Sequence, residues 1–308
     1  MNARVYGIAA LVGVISSLIV FALFAFANRS KPSKAENDAY RELINGEYRI
    51  FAMPLPEMLD FAGEPVPMDR PDVRESLDRE LLVNTYWHSN TLLAIKRARR
   101  WFPVIEPILK ANEIPDDFKY LAVIESSLSN ATSPAGAKGF WQFLEETGKQ
   151  YGMEITEQVD ERYDVEKSTF AACQYLKDAY DIYGSWAMAA ASYNMGMAGL
   201  QRKSAQQYQS GYYDLFLNEE TGRYVYRILA VKEIFNHADQ YGFVMRPAEL
   251  YEPLVFKSVD VQNSIPDLAE FAMEQGTTYK LLKWYNPWLR EGYLTIPKGK
   301  FYTLKIPA

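Results

Sequence analysis

A mainly α-helical chain closed by a small β-α-α-β module is the fold class this sequence predicts, and three patterns predict it. From Asp72 to about Gly242 apolar residues recur at three- and four-residue steps, and no stretch alternates convincingly at period two. After Pro247 two strand-like stretches bracket two short helical ones. At the other end, Val5 to Ala27 is an uncharged run of 23 residues, enough for a helix to cross a hydrocarbon core of roughly 30 Å.

That N-terminal run is longer than a usual signal h-region, which favours an uncleaved membrane anchor. Ala25-Phe26-Ala27 also fits a small-x-small cleavage site, so the second reading is a signal sequence removed near Ala27. Arg4 on one side and Arg29, Lys31 and Lys34 on the other do not fix its orientation by charge. A short tail followed by a large domain suggests export. From residue 28 to residue 71 the chain is polar and then proline-punctuated, which reads as a spacer.

Residues 72–246 form the helical domain. In "RESLDRELLVNTYW", Leu77, Leu81, Leu82 and Tyr86 define one apolar face. "SNTLLAIKRARRWF" follows behind a Ser/Asn cap, and "PVIEPILKANEI" starts a new segment at a proline. "IPDDFKYLAVIESSL" opens with Pro115 at a first helical position and with Asp116 and Asp117 at the positive end of the helix dipole. Later helices stop before Gly184, Gly196 and Gly242, the residue a left-handed C-cap prefers. Residues 247–308 hold the terminal module, with "LVFKSVDV" and "FYTLKIP" as strands and "IPDLAEFAMEQG" and "YKLLKWYN" as helices.

With 308 residues, 48% of them hydrophobic and 23% charged, the chain is long enough for one sizeable core and a smaller module. A net charge of -6 argues against a nucleic-acid partner, which needs a concentrated basic surface. One cysteine, Cys173, and two histidines, His88 and His237, leave no set for a Cys/His zinc site and no internal disulfide. Chemistry must come from carboxylates, hydroxyls and amides, and no cofactor or metal is expected. Cys173 reads as a small buried residue, and Lys96, Arg97, Arg99 and Arg100 read as a solvated helix face.

The residue out of place is Glu125. It falls in step with Phe118, Leu121, Ala122 and Leu128, so its carboxyl projects from an apolar stripe at a helix C-terminus. Burial and the negative end of the helix dipole both raise a carboxyl pKa, which equips such a group to donate a proton near neutral pH and take it back. Ser126, Ser133, Gly136 and Gly139 follow in a loop of little bulk where a ligand can approach the backbone, then Trp141 and Gln142, the former offering a stacking face. Tyr193 and Asn194 end an alanine-rich helix that must be buried, where a phenol and an amide need partners.

The pattern "ES" at 125–126, "SPAGAKGFWQ" at 133–142, "SYNMG" at 192–196 and "ETGRYV" at 220–225 resembles, in order and spacing, the signature of the lytic murein transglycosylases. "YDVEKST" at 163–169 resembles the segment that family carries between its second and third motifs. The loop after "ES" is one residue shorter than in many members, and Ser192 stands where Ala usually precedes Tyr-Asn.

The resemblance implies a goose-lysozyme-like helical domain that cleaves the MurNAc-β-1,4-GlcNAc bond of peptidoglycan without added water, leaving 1,6-anhydro ends. It implies Glu125 as the catalytic acid and base, with Ser126, Ser133, Gly139, Trp141, Gln142, Tyr193, Asn194, Glu220 and Tyr224 around the glycan. The terminal module resembles a LysM domain that lacks the usual Gly-Asp-Thr-Leu start. Peptidoglycan strands and, through the N-terminal helix, the inner membrane are the implied partners, on its periplasmic side. Two other readings remain: a lysozyme-like hydrolase that adds water, and an inactive membrane-tethered glycan-binding scaffold.

Overall fold

The computed structural model describes residues 34, 35, 38 and 50–308. The Val5–Ala27 anchor or signal lies outside the described residues, and among those described no helix is long and apolar enough to cross a membrane.

From residue 52 onward the chain forms one unit. The residues just before 72, read from the sequence as spacer, are part of its core. A minimal hairpin of β1 (Asp60–Phe61) and β2 (Glu64–Pro65) buries Phe61 edge-on against Phe118 at 5.3 Å, with Val66 and Met68 also buried. The prolines that signal a spacer are compatible with this course because so short a hairpin needs few ladder N–H groups.

Helix α1 (Pro71–Tyr86) starts at a proline and buries Val73, Leu77 and Leu81. Helix α2 (His88–Ala111) runs without a break through Pro103 and Pro107, where the sequence suggests a new segment at Pro103. The second proline sits four residues after the first, so the second missing N–H falls opposite Pro103's own carbonyl. A 3-10 turn (Asp116–Phe118) leads into α3 (Lys119–Ser126), and Ser127 and Leu128, both left-handed at φ 51° and 53°, end it. After the short α4 (Glu145–Gln150), α5 (Val165–Tyr183) is capped by Asp164 and stops at Gly184 with φ 62°.

Helix α6 (Trp186–Met195) begins at the Ser185 cap and is apolar all round, with Ala187, Ala189, Ala190 and Ala191 buried. Glu64 reinforces its start, accepting from Ser185 Oγ at 2.9 Å and Ala187 N at 3.1 Å. Helix α7 (Met197–Gln207) follows, and α8 (Glu219–Asn236), capped by Asn218, crosses the centre against α1, α6 and α3. The last of these contacts sets the site, because it lays the C-terminal turn of α3 against the first turns of α8.

The terminal module is β3 (Phe256–Val261), α9 (Leu268–Glu274), α10 (Tyr279–Tyr285) and β4 (Tyr302–Pro307), with the strands antiparallel and Val259 opposite Leu304. It has its own core of Leu268, Ala272, Leu282, Leu289, Leu304 and Ile306. Asn286, fully buried, donates to Leu282 O and Lys305 O and accepts from Lys305 N, so its amide joins the end of α10 to β4.

Candidate active site

Glu125 sits on the last turn of α3, half-buried, and its Oε1 accepts a hydrogen bond from the Tyr224 hydroxyl of α8. Burial raises its pKa above the ordinary carboxylate value. The Tyr224 bond and the charge of Arg227 oppose that rise, and Glu220 reinforces it. Tyr224 is itself buried, and burial followed by the Glu125 charge pushes its pKa up, so it stays a neutral donor. The sequence expectation of an acid on an apolar stripe describes this carboxyl well.

Tyr193, Asn194 and Glu220 gather on the same side. The Tyr193 hydroxyl donates to Trp141 O at 2.9 Å, while its ring packs edge-on to Phe143 and Tyr175. Asn194 Nδ2 donates to Glu220 Oε1 at 3.0 Å, and its Oδ1 accepts from Thr221 Oγ1 at 2.7 Å. Asn194 thus ties the end of α6 to the start of α8, and Glu220 remains exposed.

Other candidates hold the loop rather than face a ligand. Trp141 is fully buried and its Nε1 donates to Thr169 Oγ1 at 2.8 Å, so it has no free stacking face, contrary to the sequence expectation. Its indole needs an internal partner, and the threonine one turn into α5 supplies it. Gly139 does not open the backbone to a ligand: at φ 79°, a Cβ there would lie 1.8 Å from Arg162 O. Ser126 Oγ lies buried within 2.9 Å of Phe140 O and 3.1 Å of Ala122 O. Ser133 Oγ accepts from Ala137 N and closes a turn. Gln142, at φ 50°, donates through Nε2 to Ala131 O and Gly139 O, which leaves its amide oxygen as the end of the side chain open to a ligand.

Beneath this loop, Arg162 is buried and paired with Asp160 at 2.8 Å. Asp160 is held below the usual carboxylate range by Arg162 and Lys138 against the opposing effect of burial. The buried pair fixes the floor on which Gly139 rests.

A cavity of about 180 Å³ beside Glu125 is lined by residues absent from the sequence expectation, Arg227, Trp87 and Asn90 among them. Arg227 Nη2 donates to Ile124 O at 2.9 Å, and Trp87 is 60% exposed at the junction of α1 and α2. Arg227 lies seven residues beyond Glu220, two turns along the same face of α8, a spacing that does reveal it in the sequence. Trp87 carries no such local signal, since only the fold brings that junction to α3.

Residues 103–216 match the family model described as the transglycosylase SLT domain. That span holds Glu125 through Asn194 but not Glu220 or Tyr224. Residues 257–308 match the soluble lytic transglycosylase C-terminal LysM-like domain. The chain is 28% identical over 235 residues to the membrane-bound lytic murein transglycosylase D of Escherichia coli strain K12, and equally to that of E. coli O6:H1. The alignment takes in 73% of this chain and 50% of each relative, so the chain spans about half the length of the curated relatives it matches. The helical region around Glu125 is thus a transglycosylase SLT domain, and the module that follows it is a LysM-like domain.

Proposed function

We propose that the chain is a peptidoglycan lytic transglycosylase, a carbon-oxygen lyase that cleaves the MurNAc-β-1,4-GlcNAc bond and leaves 1,6-anhydroMurNAc ends. The observation that carries this reading is the Glu125 carboxyl inside an SLT domain, held above its ordinary pKa by burial and touched by the Tyr224 hydroxyl. Neutral Glu125 gives its proton to the glycosidic oxygen as the C1–O bond breaks. The 2-acetamido oxygen of MurNAc supports the positive charge at C1. The Glu125 carboxylate, now accepting from Tyr224 beside Arg227, takes the C6 hydroxyl proton as O6 closes on C1. The proton returns to its donor and no water is consumed, so one carboxyl serves where most glycosidases use two.

On this reading Tyr193, Asn194, Glu220 and the amide oxygen of Gln142 contact the sugars. Ser126, Ser133, Gly139 and Trp141 act through the loop that carries Gln142. The uncharged Val5–Ala27 run supports a membrane anchor, the peptidoglycan substrate of this reading supports the periplasmic side of the inner membrane, and the relatives are named membrane-bound.

Liquid chromatography with mass spectrometry of digested sacculi tests the proposal. Soluble muropeptides lighter by one water than lysozyme products are expected; fully hydrated products assign a hydrolase, and binding without release assigns a scaffold.

Tyr224→Phe separates the two duties of Glu125. Losing the phenol removes the bond that favours the carboxylate, so the Glu125 pKa rises further and the alkaline limb of the kcat/KM profile moves to higher pH. The carboxylate formed in the first step also loses its donor, so kcat falls by about 10-fold or more, the order of one hydrogen bond to a charged group. An unshifted limb with unchanged kcat contradicts this role.

A further inference from the structure

Away from Glu125, a cavity of about 600 Å³ opens between α2, the Leu128–Asn130 loop and the start of α5 on one side, and the 251–256 segment, α10 and β4 on the other. That volume is ordinary for a ligand site. Its walls are largely apolar, yet Arg97, Arg100, Lys280 and Lys283 all line it.

Among the described residues none of the four has a carboxylate within ion-pair distance. Arg97 donates to Ser127 O at 3.0 Å, Arg100 to Glu252 O at 2.9 Å and Lys283 to Glu291 O at 2.8 Å, all neutral carbonyls. The two carboxylates of the lining are already engaged. Glu166 pairs with Lys305 at 2.9 Å, and Asp164 caps α5 through the amides of Glu166 and Lys167. Burial depresses the pKa of both Arg100 and Lys283; no carboxylate opposes it at Arg100, and at Lys283 the charge of Arg290 adds to it and outweighs, with burial, the opposing charge of Glu291. Arg100 lies 5.3 Å from the Tyr251 ring and 5.4 Å from the Trp284 ring, so aromatic faces hold the guanidinium at the cavity wall. The basic run of α2, read from the sequence as a solvated face, therefore borders the terminal module with only Arg99 left exposed.

We propose that this cavity docks the peptide portion of the substrate, a short anionic peptide whose separated carboxylates meet these cations while its aliphatic side chains cover the apolar wall. This rests on the proposed function, because peptidoglycan stem peptides carry several carboxylates. A single small anion would answer one cation and leave the apolar wall wet. A peptide answers both features. The terminal module then adds to specificity through α10.

The test uses the full chain and the synthetic stem peptide L-Ala, D-Glu, meso-diaminopimelate, D-Ala, with binding followed by calorimetry. The double variant Lys280→Glu with Trp284→Ala changes two exposed side chains of α10, and its melting temperature verifies the fold. Wild type and Glu125→Gln are expected to bind the peptide equally. The double variant and a carboxyl-amidated peptide are each expected to lose about 10-fold or more. In parallel, the preference of wild type for peptide-bearing over peptide-stripped glycan strands, read as a kcat/KM ratio, should collapse in the double variant. Failure of the stem peptide to bind, or equal binding by the double variant, overturns the proposal. If the peptide binds as expected but neither glycan is cleaved, the docking site stands and the transglycosylase reading fails.

Discussion

Glu125→Gln is expected to lower glycan release by about 10²–10⁴-fold or more while leaving the protein as stable as wild type or more so at neutral pH. On the proposed mechanism the same carboxyl supplies both proton transfers, and an amide supplies neither. The stability half depends on sign. The folded-state pKa of Glu125 is raised, so the folded state holds a proton that the unfolded chain has already released, and stability falls as pH rises from the ordinary carboxylate value through the folded value. Glutamine stays neutral at every pH and can still accept from Tyr224, so it escapes that loss. Melting curves from acidic to neutral pH should therefore diverge in favour of the variant. A variant that loses activity and also melts earlier at neutral pH indicates that Glu125 holds the fold together instead.

Gly139→Ala is expected to destabilise the SLT domain by about 3 kcal/mol or more, a drop of roughly 6–12 °C in melting temperature for a unit of this size. Two independent effects combine. The residue has φ 79°, and its new Cβ would meet Arg162 O at 1.8 Å and Arg162 C at 2.7 Å, both backbone atoms. Arg162 has little freedom to retreat, being buried and paired with Asp160. Gly136→Ala is the control, since Gly136 has φ 83° but nothing within 4 Å of where the new methyl would stand. It should lose only about 1–2 kcal/mol from backbone strain. Equal effects at the two positions contradict the packing role assigned to Gly139.

The contrast between those two glycines shows what the sequence can express. Local features were legible in part: Gly184 and Gly196 end their helices as expected, each signal lying within a turn of its effect, whereas α8 stops at Asn236, ahead of the expected stop before Gly242. Glu125 was legible for the same reason, its apolar neighbours being spaced along one helix. Trp141 was not, since whether an indole faces a cleft or a core depends on Thr169, 28 residues away. The minimal hairpin at Phe61 and the unbroken passage of α2 through Pro103 were hidden likewise, because packing against distant residues outweighed the proline signals. Arg227 and Trp87 entered the site through the crossing of α8, α3 and the α1–α2 junction, a tertiary fact with no local trace at Trp87.

Digestion of sacculi in water enriched in heavy oxygen, followed by mass spectrometry of the released muropeptides, addresses the central claim most directly. Intramolecular closure by O6 takes no oxygen from solvent, so on the proposed mechanism the wild-type protein should yield anhydro products of natural isotopic mass, and Glu125→Gln should yield almost none. Heavy oxygen at the MurNAc reducing end of wild-type products would show that water attacks C1, and the account of Glu125 as acid and then base toward the C6 hydroxyl would be wrong.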